Sequence, residues 1–124
     1  MLSARIKDIA IVFMVKDLAR TLRFYTQTLG LTFEVDDVDG GFLMAKLPGD
    51  VSFMFFAGDV SAGATPQVVF GLKQGGIDGV VADLARAGVE IVTPVSEAPG
   101  GWTADFKDVD GHMLSLYQEG ELPR

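Results

Sequence analysis

Apolar and polar positions follow two different periods along the first half of the chain. A continuous apolar run at residues 9–15, rich in β-branched side chains, predicts a strand that is buried on both faces. Asp17 then offers a helix N-cap, and apolar residues recurring at steps of four, three and four predict an amphipathic helix that ends at Gly30. The pattern predicts further strands at residues 31–35, 42–47 and 51–56.

The second half repeats this plan after a small and polar linker at residues 58–66. A second helical stripe, closed by Gly88, follows a predicted strand at residues 67–72. We expect the last residues, 119–124, to be frayed because they carry no strand or helix pattern. The remaining strands of this half are predicted at residues 89–93, 102–107 and 113–117.

The two halves also align by residue type. The matched segments are 11–15 with 68–72, 29–33 with 87–91, Gly40-Gly41-Phe42 with Gly100-Gly101-Trp102, and 53–56 with 114–117. A repeat of about sixty residues is longer than the ~20–50 residues of a solenoid unit, so two copies predict a pseudo-symmetric domain. We therefore predict one α+β domain over residues 1–124. It contains two βαβββ modules, at about 7–58 and 66–118, that form a cupped mixed sheet.

Composition limits the chemistry and the compartment. The chain has no cysteine, which excludes a disulfide framework, a thiolate metal site and a cysteine nucleophile, and which fits a reducing compartment. The amino terminus shows no signal-peptide pattern, and the apolar run at residues 9–15 is too short to span a bilayer. We therefore expect a cytoplasmic protein with no membrane partner.

The net charge of −7 narrows the range of partners. An acidic protein has no electrostatic reason to bind nucleic acid or anionic lipid, so neither is expected as a partner. The simple interpretation of this charge is solubility. The sharper alternative is an acidic groove that attracts a cationic small molecule.

The segments Val15-Lys16-Asp17-Leu18, Phe24-Tyr25 and Leu29-Gly30-Leu31, in this order, are similar to the opening signature of one superfamily. This is the vicinal oxygen chelate superfamily, which includes glyoxalase I, the bleomycin-resistance proteins and the extradiol dioxygenases. Residues 106–116 resemble its closing hairpin, with Val109 in place of the usual proline. The resemblance extends from about residue 8 to 118 by the repeat unit. It implies two βαβββ modules around a cup, commonly in a homodimer.

The resemblance also implies four positions for ligands of a divalent metal, and these fall on Ala10, Met54, Gln67 and Ser115. Ala10 has no donor atom, and the thioether of Met54 is a soft ligand that suits these metals poorly. Gln67 and Ser115 offer only a neutral amide oxygen and a neutral hydroxyl. We therefore expect no metal, no other cofactor and no catalytic residues of the glyoxalase or dioxygenase type.

Strand alternation indicates which side chains face the cup. Asp105 points away from Phe106 and toward Ser115, where it either pairs locally or recognises a cationic or hydrogen-bond-donating ligand. Asp105 or Glu34 could alternatively supply a substitute metal ligand. Trp102 is expected at the cup edge, either packed or stacked on a flat ligand. The predicted ligand-binding residues are Ala10, Val12, Met14, Met54, Gln67, Val69, Trp102, Asp105, Ser115 and Tyr117.

These observations predict a metal-independent protein that binds an aromatic or cationic small molecule, and they weigh against an enzyme. Sequestration of an antibiotic or another toxic compound follows only by analogy with the bleomycin-resistance branch. Two alternatives stay open. One is an enzyme of the superfamily, a lyase, isomerase or dioxygenase, with a relocated metal or none. The other is a structural or partner-binding module whose cup is filled by its own side chains.

Overall fold

The computed structural model describes residues 2–59, 66–107, 109 and 111–124, and the chain divides into two compact units. The first-half unit is Ala10–Gln67, and the second-half unit combines Met1–Ile9 with Val68–Arg124. The first strand therefore passes from the second-half unit into the first-half unit. Most of the predicted linker at residues 58–66 lies outside the described residues.

An α+β arrangement of strands and two helices confirms the predicted fold class. Strands β1 to β8 are Ile6–Val15, Phe33–Asp37, Phe42–Leu47, Val51–Ala57, Gln67–Leu72, Ile91–Ala98, Gly101–Lys107 and Met113–Glu119. Helix α1 is Leu18–Arg23, continued by a π-helical turn at Phe24–Thr28, and helix α2 is Ile77–Arg86. Neither helix is long and apolar enough to cross a membrane, and the same holds for every other helical turn in the described part of the chain.

In the first-half unit the strands are ordered β2-β3-β4-β1, with β2–β3 and β3–β4 antiparallel. Helix α1 covers one face of these strands. Leu18 of α1 packs against Leu43 and Phe55, which are both completely buried. The rings of Phe13 and Phe55 stack with their centroids 5.1 Å apart. Further side chains packed on this core are Val15, Leu22, Tyr25, Phe33, Val38 and Phe53.

Helix α1 begins as predicted but ends differently. The carboxylate of Asp17 accepts a hydrogen bond from the backbone N–H of Arg20 at 3.1 Å, as an N-cap does. The amide of Leu29 then bonds to the carbonyl of Phe24, five residues earlier, so the last turn is wider than an α-helical turn. The predicted stripe loses phase there because it assumes 3.6 residues per turn. Leu29, the last residue of the stripe, is consequently half exposed, at 52%.

In the second-half unit the order is β1-β5-β8-β7-β6, with β5–β8 parallel and the pairs β7–β8 and β6–β7 antiparallel. Helix α2 covers one face of these strands. Ile77 of α2 is fully buried with Leu72 and Leu116 beneath it. Val80, Ala104 and Phe106 complete the buried core, and partly buried side chains around it include Phe70, Val81, Leu84, Ile91, Trp102 and Leu114.

The carboxyl-terminal residues, predicted to fray, are instead fastened to α2, so this prediction was wrong. The carbonyl oxygen of Pro123 accepts the N–H of Gly76 at 2.6 Å, and that of Arg124 accepts the N–H of Asp78 at 3.0 Å. Backbone carbonyls make these contacts, so no apolar pattern in residues 119–124 indicated them. We call residues 118–124 the strap.

Candidate functional site

In the first-half unit, strand alternation turns a set of apolar side chains away from α1. Phe53 and Phe55 pack beneath α1, so Met54 between them points to the opposite side of the strands. Met54 stands opposite Met44 in the pairing of β3 with β4. We call the apolar residues of this side the apolar face; they are Ala10, Val12, Met14, Phe42, Met44, Met54 and Phe56, and the polar pair Lys46–Ser52 lies beside them on the same side.

Much of the apolar face is in contact with solvent. Met14 is 47% exposed and Phe56 37% exposed. The Phe56 ring lies against the Phe42 ring, with 5.0 Å between their centroids. The methyl group of Met14 fills the place where a Cβ on Gly58 would stand, so Gly58 leaves room for this side chain. Large apolar side chains that are only partly covered suit contact with an apolar or aromatic molecule.

In the second-half unit, the corresponding side of the strands is polar. Ala104 and Phe106 pack beneath α2, so Asp105 points to the opposite side. Asp105 stands opposite Thr93 of β6 and Ser115 of β8. We call this side the polar face, and it consists of Thr93, Thr103, Asp105, Ser115 and Tyr117, beside Val69 of β5.

A hydrogen bond of 2.5 Å joins the hydroxyl of Ser115, as donor, to Oδ1 of Asp105. Ser115 is only 2% exposed, whereas Asp105 is partly exposed. A short bond from a hydroxyl to a carboxylate is a strong, charge-assisted one. The geometry therefore includes the local pairing that was one of the two alternatives for Asp105.

Tyr117 and Thr103 are also held by hydrogen bonds on this face. The Tyr117 hydroxyl donates to the carbonyl of Pro99 at 3.0 Å, and the Thr103 hydroxyl donates to the carbonyl of Leu116 at 2.9 Å. Burial raises the pKa of Tyr117, and the charges of Glu119 and Glu121 act in the same direction. The phenol is therefore neutral at physiological pH.

Trp102 does not lie on the polar face, in contrast to its expected place at the cup edge. Its ring packs on the core beneath α2, and the guanidinium of Arg124 lies over it at 4.0 Å from the ring centroid. This is a cation–π contact within the protein itself. Of the two alternatives for Trp102, the structure shows a packed ring.

The match of Gly40-Gly41-Phe42 with Gly100-Gly101-Trp102 is wrong by one residue. Leu43 and Ala104 are true counterparts, because each pairs with the fully buried residue at the centre of the last strand of its unit. Phe42 therefore corresponds to Thr103, and not to Trp102. Since side chains alternate along a strand, a slip of one residue assigns a side chain to the wrong face.

Sequence reasoning missed five residues of the two faces. Phe42, Met44 and Phe56 belong to the apolar face, and Thr93 and Thr103 to the polar face. For four of them the available signal was the alternation of β3, β4 and β7, whereas Thr93 required the register of β6. Each of these strands carries an identifiable core residue, and its neighbours must point the other way.

The four metal positions implied by the resemblance do not offer a suitable donor set. Ala10 and Met54 belong to the apolar face, Gln67 is the half-buried first residue of β5, and the Ser115 hydroxyl is engaged with a carboxylate. Glu34, considered as a substitute, is exposed on β2. Within residues 2–59, 66–107, 109 and 111–124, no group of three His, Asp or Glu side chains could hold a metal ion. These residues do not fit the divalent metal of that superfamily.

Comparison with known proteins gives one family and several structural relatives. The sequence model of the Glyoxalase/Bleomycin resistance protein/Dioxygenase superfamily matches residues 6–116. None of the curated proteins matches the chain.

Three solved structures illustrate the likeness. The NAD-dependent benzaldehyde dehydrogenase structure from Legionella pneumophila is 18% identical with a TM-score of 0.73, over 90% of this chain and 98% of that one. A superfamily member from Vibrio splendidus is 14% identical with a TM-score of 0.67, over 90% and 97%. Methylmalonyl-CoA epimerase from Mycobacterium tuberculosis is 19% identical with a TM-score of 0.62, over 94% and 88%. At these identities the likeness shows the fold alone.

Proposed function

Because the chain belongs to the Glyoxalase/Bleomycin resistance protein/Dioxygenase superfamily, yet carries other residues at the metal positions, we propose that it binds a small molecule without a metal. The donor set is the observation that carries this proposal. Of the four positions, Ala10 offers no donor atom and Met54 only a thioether, while Ser115 is committed to Asp105. A divalent cation would find neither an imidazole nor a carboxylate among them.

The ligand we propose is aromatic, because the apolar face presents partly exposed Met and Phe side chains. The net charge of −7 favours a cationic ligand over an anionic one. We further propose that the protein sequesters a toxic compound such as an antibiotic, by analogy with the bleomycin-resistance branch of the superfamily. It would act as a cytoplasmic homodimer, with no nucleic-acid or membrane partner.

Metal content tests the first part of this proposal. The protein is incubated with zinc, nickel, manganese and iron in turn, freed of unbound metal, and analysed for its elements. We expect far less than one metal ion per chain with every ion. About one ion per chain, lost in Asp105→Asn or in Glu34→Gln, would show a relocated metal site and contradict the proposal.

Thermal unfolding with matched compounds tests the ligand. The probes are aromatic amines, each paired with the alcohol of the same shape. A ligand at 100 times its Kd adds about 2.7 kcal/mol to the free energy of unfolding, which is readily seen as a rise in Tm. We expect the amines to raise Tm more than the alcohols. If only neutral or anionic compounds stabilise the protein, the cationic preference is wrong.

A pair of variants locates the binding face. Met14→Gln places a polar group on the apolar face, whereas Leu29→Gln makes the same kind of change at a residue of similar exposure at the end of α1. We expect compounds found with the wild type to stabilise Leu29→Gln fully and Met14→Gln much less. Equal stabilisation of both variants would exclude the apolar face as the binding surface.

The second candidate function is an enzyme. Two methylmalonyl-CoA epimerase structures cover 94% and 97% of this chain, and the polar face holds a carboxylate, a group that can act as a general base. An epimerase-like activity would exchange the proton at the α-carbon of an acyl-CoA thioester. The test is deuterium incorporation from D₂O, followed by nuclear magnetic resonance, in wild type and in Asp105→Asn. Exchange that requires Asp105 would favour this candidate.

A further inference from the structure

Helix α2 lacks an N-cap side chain of its own. It follows Gly75 and Gly76, both in the left-handed region with φ of 73° and 78°, and Gly76 has no side chain to accept a hydrogen bond. The first N–H groups of any α-helix need partners from outside the helix. In α1 the side chain of Asp17 meets this need, so α2 must be capped from elsewhere.

Gln118, the first residue of the strap, joins the beginning of α2 to the end of the chain. Its Oε1 accepts the N–H of Ile77 at 2.9 Å. Its Nε2 donates to the carbonyls of Leu122 at 3.0 Å and Pro123 at 3.3 Å. Because Gln118 is only 1% exposed, its amide is fully committed to holding these two segments together.

The far end of the strap adds a second set of contacts. Gly76 and Asp78 lie on either side of Ile77 in the chain. The carbonyl of Pro123 accepts the N–H of Gly76, and the carbonyl of Arg124 accepts the N–H of Asp78. The guanidinium of Arg124 lies 3.0 Å from the carboxylate of Asp78 and also covers the Trp102 ring. The strap thus accepts hydrogen bonds from three successive amides at the start of α2, those of the N-cap residue Gly76 and of Ile77 and Asp78.

The fit of the strap requires glycine on the helix side. A Cβ at Gly75 would stand 2.4 Å from the carbonyl oxygen of Pro123, and Gly75 is buried by this approach. Backbone packed on backbone leaves no space for a side chain at this position. Gly75 therefore makes room for the strap, and with Gly76 it forms the turn that starts α2.

We propose that the strap is a releasable clasp, which opens locally to uncap α2 and uncover Trp102 while the core of the second-half unit stays folded. The fully buried apolar side chains of this core, Leu72, Ile77 and Leu116, all lie outside the strap, whose buried side chain is the polar amide of Gln118. Hydrogen bonds, the contact of Arg124 with Trp102 and two exposed ion pairs, Lys7–Glu119 and Arg124–Asp78, hold it instead. Segments with few buried apolar contacts open at lower free energy than the core. This inference stands apart from the proposed ligand.

Native-state hydrogen exchange on the full chain tests the clasp. Arg124→Ala removes the ion pair and the contact with Trp102, and the control Arg86→Ala removes another exposed ion pair of the same helix, with Asp83. Loss of a charged hydrogen bond predicts exchange about tenfold faster at the capped amides, those of Gly76, Ile77 and Asp78. The core amides of Leu72 and Leu116 should be unchanged, and so should every amide in the control.

Trp102 gives an independent reading because it is the chain's single tryptophan. Its fluorescence should be quenched more strongly by acrylamide in Arg124→Ala than in Arg86→Ala. Gln118→Met, which keeps the side-chain length but removes the acceptor for Ile77, should produce the same selective loosening. The proposal is overturned if core and capped amides accelerate by the same factor, because the opening is then global. It is also overturned if neither variant changes the capped amides or Trp102.

Discussion

The two units have the same arrangement of elements, but their strand faces away from the helix differ in chemistry. The first-half unit presents the apolar face, with Met and Phe side chains that are partly in water. The second-half unit presents the polar face, with the Asp105–Ser115 pair at its centre. Beneath the helices, in contrast, apolar residues occupy matching places, as with Phe55 and Leu116, both completely buried. Folding thus fixes the helix-covered faces, and the opposite faces are free to acquire different functions.

Substitutions beneath the helices should have the largest effect on the free energy of unfolding, and they test whether the two cores are equivalent. Phe55→Ala and Leu116→Ala each delete a fully buried side chain at the same place in its unit. We expect losses of about 3–5 kcal/mol and about 2–5 kcal/mol in the free energy of unfolding, measured with urea. A loss below about 1 kcal/mol in either variant would show that the two positions are not equivalent in the core.

A smaller effect is expected on the opposite faces, and it should differ between them. Ser115→Ala removes the hydrogen bond to Asp105 and leaves a carboxylate with one donor fewer, which costs about 1–3 kcal/mol. Met54→Leu on the apolar face conserves volume and polarity and should cost less than about 1.5 kcal/mol. Urea unfolding of both variants makes the comparison. If Met54→Leu proves the more damaging, the face is tightly packed rather than available to a ligand.

The Asp17 cap of α1 should contribute as much to the free energy of unfolding as a typical side-chain N-cap does. Asp17→Ala is expected to cost about 1 kcal/mol, since the N–H of Arg20 loses its acceptor. Asp17→Asn keeps an acceptor oxygen and should cost much less. Circular dichroism during thermal unfolding measures both. Equal losses would mean that charge, and not the hydrogen bond, is what α1 requires.

The smallest effect concerns an exposed pair in the second-half unit, Lys7 and Glu119, whose side chains meet at 2.6 Å. Their hydrogen bond raises the pKa of Lys7 and lowers the pKa of Glu119. The contribution of Glu119 is complete above its unfolded value of about 4.3 and is lost as pH falls through the lowered value. That of Lys7 is complete below about 10.4 and is lost as pH rises through the raised value.

Lys7→Met should therefore lower Tm slightly near neutral pH. The difference from wild type should shrink below about pH 4 and above about pH 10.5. Thermal scans from about pH 3 to about pH 11.5 measure it, because this range extends past both limits. A difference that stays constant across the whole range would show that Lys7 acts through the packing of its methylene chain and not through its charge.

The fold could be predicted from the sequence wherever apolar periodicity reflects burial under a helix. Phe13 and Phe70 were matched between the halves, and both lie beneath their helices. Gly30 and Gly88 were expected to end the helices and have φ of 77° and 86°. These features are local in the sequence or occur in both halves, so they could be predicted from residue types alone.

Other features depend on contacts that residue type does not record. The strap is held largely by backbone carbonyls, which every residue has, so nothing in residues 119–124 marked them as ordered. Phe42 was matched to Trp102 because similar residues at a strand end can be aligned one position out of step. On the candidate faces, Asp105 and Ser115 were correctly brought together by strand alternation, whereas Thr93 required the register of β6.

Strand β1 begins in one unit and ends in the other, and this affects how the protein can be divided. A fragment that ends near residue 60 carries Arg5 and Lys7 away from Gly75 and Glu119, their partners later in the chain. The complementary fragment would lack β1, the strand that lies next to β5 in the sheet. During synthesis, residues 1–9 cannot make their contacts with residues 68–124 until the second half of the chain has left the ribosome. The two halves are similar in sequence, yet a cut between them would not yield two independent proteins.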